Sequence, residues 1–512
     1  MKGDVHGRDA LAKNIFTNWL AQLVQIAAGF VVPRLIDTEL SQQALGVWDL
    51  AWSIVVYLNI VQVGVTSSIN RYVAYHRAQE DYAGINRVVS SIVMVMRGMG
   101  GIVVLLTLLA TWQVGDVFSH RLGTYTQEAR WLVFLLGTGI AIQISSAVYA
   151  SLLTGFHRWD WHNGIHAGTN VVMLAGMVLS LKLGFGLIGL AVVHVVSETL
   201  GRTFRVMVAH RLCPWLEVRV AHFRASTARE MMGFGGKAFV SNISQLIMNS
   251  TVSLMIAAHL GPAALALYSR PMSLVRNLTL VVNKYAMVFS PTISSLQGAG
   301  RDRDIRQIAL QATRYGLYIL LPPTIVLLIY SREIMRWWMG DAYAVPVLVV
   351  AIILGSALQM AVLPLWKGAL VGLNIHGKAA IANVAGAAVA VAGTYIALAH
   401  FHLGLVAVAI AVGVPMSLTN GLFLAVYACR KLDVGFLDFL RQVWGGPLAC
   451  AAPFAAILAV SRVWLGGEMG LLAGGFAGMA YLMIAYWHAV VPERYKQKLG
   501  LARSRAAAQR VG

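Results

Sequence analysis

The stretch Val88-Val-Ser-Ser-Ile-Val-Met-Val-Met-Arg97-Gly-Met-Gly-Gly-Ile-Val-Val-Leu-Leu-Thr-Leu-Leu-Ala-Thr-Trp112 decides the fold. Its one ionisable side chain, Arg97, sits about ten residues in, roughly 15 Å along a helix. About 20 apolar residues cross the hydrocarbon core of a bilayer, so this run reads as a membrane-spanning helix. Working outward, apolar runs of similar length recur along the chain, cut where charges and turn residues cluster. They fall at about 14–36, 45–67, 88–112, 131–153, 167–183, 185–208, 238–259, 272–295, 315–330, 344–366, 379–399, 404–428, 447–465 and 469–491. The expectation is an all-α integral membrane protein of about 14 spans. Composition agrees: of 512 residues 58% are hydrophobic and only 12% charged, against about 25% in soluble domains, which excludes a soluble enzyme.

The 40 Lys and Arg against 21 Asp and Glu give a net charge of +19, which in a soluble chain would suggest nucleic acid. Here the positive-inside rule accounts for it, and no nucleic-acid partner is read. With the N-terminus in the cytoplasm and the spans alternating, inner segments collect 29 of the 40 cations, outer segments 8, and the spans 3. A miscounted span would mix the two sets, so the separation places both termini in the cytoplasm. The segment His210 to Lys237, with Arg211, Arg219, Arg224 and Arg229, and the tail Arg494 to Arg510 read as basic stretches on an anionic inner leaflet. The polar N-terminus leads into a full-length span, so no removable signal peptide is read. Cys213, Cys429 and Cys450 are too scattered for a disulfide framework or a metal site.

A weak internal repeat divides the chain. Lys13-Asn-Ile-Phe-Thr-Asn18 resembles Lys237-Ala-Phe-Val-Ser-Asn242, and Ala44-Leu-Gly-Val-Trp-Asp-Leu-Ala-Trp-Ser-Ile54 resembles Ala264-Leu-Ala-Leu-Tyr-Ser-Arg-Pro-Met-Ser-Leu274. An even number of spans separates the copies, which predicts two pseudo-symmetric six-helix lobes of the same orientation, with two C-terminal helices outside the repeat. The expected domains are residues 1–230, 231–430 and 431–512.

Charge buried in lipid costs at least about 2.5–3.5 kcal/mol, so intramembrane polar groups are the candidate site. Arg97 on span 3 and Arg276, Asn277, Asn283 and Lys284, on one side of span 8, form the expected cationic substrate-binding set. Asn18, Gln22 and Gln25 on span 1, and Asn242, Gln245 and Asn249 on span 7, follow helical spacing. They either line an aqueous cavity or hydrogen-bond between helices. Glu198 and His194, four residues apart on span 6, are candidates for ion coupling, with Asp49 near the outer end of span 2; Arg97 could instead pair with Glu198. Arg71 and Arg34 stand at the ends of spans 2 and 1 as portal or gate residues. Cations in excess of carboxylates call for an anion, and the arginine fork suits a phosphate. His157-Arg-Trp-Asp-Trp-His162, with His166, reads as a cytoplasmic loop in an interfacial aromatic belt, and no metal or cofactor site is read.

Certain segments resemble a known family: Asn18-Trp-Leu with Gly29 and Pro33, Leu45-Gly-Val-Trp48, Gly64-Val-Thr-Ser-Ser-Ile-Asn-Arg71-Tyr-Val-Ala74, Asp81-Tyr-Ala-Gly-Ile-Asn-Arg87-Val-Val-Ser-Ser91, Ala266-Leu-Tyr-Ser269 and Phe289-Ser-Pro-Thr-Ile-Ser-Ser-Leu296. They are similar to polysaccharide transporter (Wzx-type) flippases of the multidrug/oligosaccharidyl-lipid/polysaccharide (MOP) exporter superfamily. The resemblance implies two six-helix lobes around a cationic cavity. It also implies an undecaprenyl-pyrophosphate-linked oligosaccharide carried from the cytoplasmic to the periplasmic leaflet of a bacterial inner membrane, with polysaccharide polymerase or assembly proteins as partners. In the related lipid II flippases spans 1, 2 and 8 supply arginines; here span 8 has Arg276 and Lys284, whereas spans 1 and 2 have only Arg34 and Arg71 at their ends. A MATE-like cation-coupled drug exporter and a membrane glycosyltransferase or polymerase are the rival readings.

Overall fold

The computed structural model describes residues 8–62, 65–286, 289–373, 375 and 377–491, and every regular element among the described residues is helical. Two compact units emerge, one of Met1–Ser273 with Ala387–Val408, the other of Leu274–Gly386 with Ala409–Gly512. The first unit thus continues past residue 230 as far as Ser273.

The first unit holds α1 (Arg8–Glu39), α2 (Gln42–Val55), α3 (Val65–Ala78), α4 (Tyr82–Leu122), α5 (Thr126–Gly155), α6 (Trp159–Lys182), α7 (Gly186–Leu212), α8 (Ala225–Leu260) and the start of α9 (Pro262–Ala286). Local chemistry sets the ends. Ser41 caps α2 by accepting the Ala44 N–H at 3.0 Å, and Asp81 caps α4 by accepting that of Gly84 at 2.7 Å. Gly123, Gly184 and Gly186 have positive φ at the α4–α5 and α6–α7 turns, where a side chain would be strained. Small residues let helices approach: a Cβ on Gly46 of α2 would lie 1.8 Å from the Pro262 carbonyl oxygen at the start of α9, and one on Gly139 of α5 would lie 2.7 Å from the His194 ring of α7. Outward faces are apolar; Leu105 and Trp112 of α4 are 66% and 64% exposed, which suits acyl chains rather than water.

The segment after α7 is tied down. Asn86 of α4 donates to the Trp215 carbonyl and accepts from the Glu217 N–H, both at 3.1 Å, while the Ser91 hydroxyl accepts from the Arg224 N–H at 2.9 Å. Arg211, Arg219, Arg224 and Arg229 are all exposed.

The second unit holds the rest of α9, then α10 (Phe289–Gly298), α11 (Asp302–Ile329), α12 (Ser331–Met339), α13 (Pro346–Gly372), α14 (Gly377–Tyr395), α15 (Leu405–Met416), α16 (Leu424–Lys431), α17 (Phe436–Phe439), α18 (Gly445–Leu465) and α19 (Gly467–Ala489), with residues 387–408 of α14 and α15 grouped in the first unit. The last two helices form a hairpin in which Gly470 and Gly474 meet Ser461, and α11 clasps it. Tyr330 donates to the Leu458 carbonyl at 2.9 Å, Tyr486 to the Tyr318 carbonyl at 2.6 Å, and Arg462 to the Ile329 carbonyl and to Glu333.

Each of the expected spanning segments lies on helix, but only nine candidate spans among the described residues are long and apolar enough to cross a membrane. In expected span 2, α2 gives way to a 3-10 turn at Val56–Gln62. Expected spans 3 and 4 run together from Tyr82 to Gly155 through a short 3-10 turn. Pro415 interrupts expected span 12, which continues as a π segment at Ser417–Phe423 before α16. Two corrections add structure where loops were expected: α12 is a short amphipathic helix with Trp337 exposed, and α6 begins at Trp159, so Trp159 to His162 is its first turn.

Candidate functional site

Helix α9 carries the densest set of predicted residues. In its first half, Leu265, Ala266 and Tyr268 pack inward, and Arg270 is buried with them. The Arg270 guanidinium donates to both carboxylate oxygens of Asp49 on α2, at 2.6 and 2.5 Å. Asp49, expected as a coupling carboxylate, is thus the partner of a buried arginine. In the second half, Leu274, Val275, Val282 and Ala286 are buried, whereas Arg276, Asn283 and Lys284 are exposed and Asn277 is half-buried. The predicted stripe is therefore one side of α9, brought together by helical periodicity and left uncovered by packing.

Arg97 belongs to the first unit. It is exposed on α4 and shares the side of that helix that carries Gly101, Leu105, Leu108 and Trp112. The alternative reading, an Arg97–Glu198 pair, is not found among the described residues: the charge acting on Glu198 is that of Arg205, two turns further along α7. His194, Glu198 and Arg205 are buried in a line facing α5. Arg205 donates to the Ser146 hydroxyl at 3.0 Å, the His194 ring meets Trp52 edge-on at 5.2 Å, and Glu198 Oε2 and both His194 nitrogens make no hydrogen bond among the described residues. A buried polar atom of that kind costs about 1–3 kcal/mol, so the line from His194 to Glu198 is a polar seam that packing alone does not require.

The first ladder is partly visible. Asn18 and Gln22 of α1 are half-buried and Gln25 is exposed; Gln22 Nε2 is buried without a hydrogen bond among the described residues. Asn249 of α8 is exposed. The side chains of Asn242, Gln245 and Arg71 lie outside the described residues. Arg34 is half-buried near the end of α1, where its carbonyl accepts from Thr38 at 2.9 Å. At the α3–α4 corner, the Gly84 N–H, then His76 and Arg87, hold the Asp81 carboxyl below the usual carboxylate range.

Two buried cations escaped the sequence reading. Arg270 lies just before the apolar run 272–295 and Arg205 near the end of the run 185–208, so hydropathy gives neither as a buried charge. A signal existed for both: Arg270 falls inside the repeat segment that aligns with the neighbourhood of Asp49, and Arg205 follows His194 and Glu198 at positions that share one helical side.

A family model described as polysaccharide biosynthesis protein matches residues 11–297, more than half of the chain. The chain belongs to this family. A Shigella flexneri protein described as a candidate O-antigen transporter is 23% identical over 334 residues, 62% of this chain and 76% of its own length. Among solved structures, the lipid II flippase MurJ in an inward closed conformation is 14% identical, with a TM-score of 0.70 over 95% of this chain and 99% of that one. An inward-facing multidrug resistance MATE family transporter of the MOP superfamily is 15% identical, with a TM-score of 0.66 over 81% of this chain and 94% of that one. These likenesses establish the fold: a multi-pass, all-α membrane protein with the helical plan of the MOP superfamily.

Proposed function

We propose that this member of the polysaccharide biosynthesis family is a flippase for a lipid-linked oligosaccharide. In this reading an undecaprenyl-pyrophosphate-linked glycan passes from the cytoplasmic to the periplasmic leaflet of a bacterial inner membrane by alternating access, for O-antigen, capsule or exopolysaccharide synthesis. Both termini are cytoplasmic, and polysaccharide polymerase or assembly proteins take over the product. The lobes of the proposal are residues 1–230 and 231–430, with 431–512 as an appendage.

The observation that carries the reading is the side of α9 with Arg276, Asn277, Asn283 and Lys284, whose opposite side is buried. Exposed cations on a helix rich in apolar side chains are costly unless water or an anion meets them. A pyrophosphate supplies that anion: the arginine fork donates two parallel hydrogen bonds to phosphate oxygens, lysine adds a point charge, and the asparagine amides match sugar hydroxyls. Arg97, Asn18, Gln22, Gln25, Asn242, Gln245 and Asn249 extend the lining in this proposal, and Arg71 and Arg34 guard its ends. Glu198 with His194 is its coupling pair, since both can change protonation in a transport cycle. The polyprenyl tail stays in lipid while the polar head crosses, so no chemistry on the substrate is needed.

The test is charge reversal. Arg276→Glu and Lys284→Glu are each expected to abolish surface polysaccharide in cells, and to abolish leaflet exchange of a fluorescent lipid-linked oligosaccharide in proteoliposomes, with normal membrane insertion. Wild-type export in both variants would sink the assignment. Drug sensitivity on deletion with intact polysaccharide would favour the exporter reading instead.

A further inference from the structure

A polar cavity lies wholly within the first unit. It measures about 320 Å³ and is lined by Ser146, Ser151 and Thr154 of α5, Trp159 and His162 of α6, and Arg205 of α7. Arg205 is only 8% exposed, and its orientation is fixed from both sides of one hydroxyl: Ser146 Oγ accepts from Arg205 at 3.0 Å and donates its own proton to the Gln143 carbonyl at 3.0 Å. A guanidinium has five donors in a rigid fork, so one bond to Ser146 leaves donors for the cavity that it lines.

The cavity sits at one end of three helices. Thr154 is in the last turn of α5, His162 in the first turn of α6, and Arg205 seven residues, roughly 10 Å, from the end of α7. That end carries the basic connector after α7, and its rim carries the exposed Trp159 and Trp161, the side chains that settle at the level of lipid headgroups. A buried arginine near the headgroup level, with guanidinium donors beyond the one given to Ser146 and an imidazole beside it, can donate to a phosphate.

We propose that this cavity binds a phosphate-class anion, supplied as the headgroup of an anionic lipid of the inner leaflet. It is a separate site from the α9 stripe and stands whether or not the chain is a flippase. The groups that face Arg205 set the sign of a control. Glu198 lies two turns deeper on α7 and acts on Arg205 without lining the cavity; His162 lines it, and His166 is close to His162. The carboxylate balances the arginine and opposes an incoming anion, so its removal should strengthen binding.

The experiment is a titration of the purified full chain, in uncharged detergent, followed by native mass spectrometry. Phosphatidylglycerol, phosphatidylcholine and inorganic phosphate are the probes. Phosphatidylglycerol is expected to bind about tenfold more tightly than phosphatidylcholine, and the gain should fall by about tenfold in Arg205→Gln. Ala150→Leu, which fills the cavity from α5 and keeps the charge, should lose the same gain; this variant carries the test if Arg205→Gln does not fold. Glu198→Gln should bind phosphatidylglycerol more tightly than wild type. Displacement of the lipid by millimolar inorganic phosphate would move the assignment to a soluble anion and overturn the lipid source. Unchanged phosphatidylglycerol binding in Ala150→Leu, or in a folded Arg205→Gln, would overturn the site.

Discussion

Arg270 and Arg276 stand six residues apart on α9, yet the protein treats them in opposite ways. Arg270 is buried and gives two short hydrogen bonds to Asp49, whose side chain is 15% exposed. Arg276, with Lys284 two turns later, lies on the uncovered side of the same helix. A cation removed from both water and lipid must be matched by a carboxylate with good geometry, because breaking such a pair strands a charge. A cation on the exposed side of a helix contributes little to folding. The contrast separates architecture from chemistry: Asp49–Arg270 fastens α2 to α9, whereas the stripe beyond it is the surface for which a function must be found.

The comparison predicts its largest effect at the buried pair. Arg270→Ala should lower stability by about 3–5 kcal/mol, because it leaves Asp49 without its partner. Thermal unfolding in detergent measures it, and the Asp49→Asn, Arg270→Gln double variant should recover more than half of the loss. Unfolding of Arg270→Ala at the wild-type temperature would show that the pair fastens nothing. Next comes the contact beside it. Gly46→Ala places a Cβ against the backbone of Pro262, where no side chain can rotate away, and should cost about 1–3 kcal/mol. The same substitution at Gly101, where a Cβ would meet nothing within 4 Å, is the matched control and should be nearly neutral or mildly stabilising.

These residues also show what a linear sequence discloses. Hydropathy located the helices because the signal is local and long, and it placed Arg276, Asn277, Asn283 and Lys284 on one side of α9 because 3.6-residue periodicity needs no knowledge of neighbours. It also picked out Leu45-Gly-Val-Trp48, but the reason for the glycine, the Pro262 backbone more than 200 residues away, is a tertiary fact. Arg270 and Arg205 fall near the edges of apolar runs, where a charge looks the same in sequence whether it meets water or a buried carboxylate. Arg97 was visible by its depth in an apolar run, but its place on the exposed side of α4 rather than its buried side is again a tertiary fact. α12 was missed because nine residues of mixed polarity fall below any spanning window.

A third class of charge, half in water, lies between the two extremes. Asp81 caps α4 and meets His76 at 3.0 Å and Arg87 at 3.4 Å, and its folded carboxyl is held below the ordinary value near 4. The sign follows: folding favours the ionised form, so this contribution is fully present above the unfolded value and fades as pH falls through the lower folded one. Asp81→Asn keeps a capping oxygen but loses that dependence. The difference in melting temperature between the two proteins should be seen near pH 6 and should shrink as pH falls through the lowered folded value. A difference independent of pH would mean that the cap works by shape alone.

The smallest effect on stability is expected where the effect on transport is greatest. Arg276→Gln and Lys284→Gln remove charge from exposed positions while keeping length and hydrogen-bonding capacity, and surface changes of this kind shift stability by no more than about 0.5 kcal/mol. Each variant should unfold within about a degree or two of wild type, as expected for a chain whose unfolding entropy is large. If the stripe meets a phosphate, however, each should slow leaflet exchange of the lipid-linked oligosaccharide by about tenfold, the scale of one lost charge-assisted hydrogen bond. A loss of stability comparable to that of Arg270→Ala would place Arg276 among the fastening residues, and the distinction between the two halves of α9 would collapse.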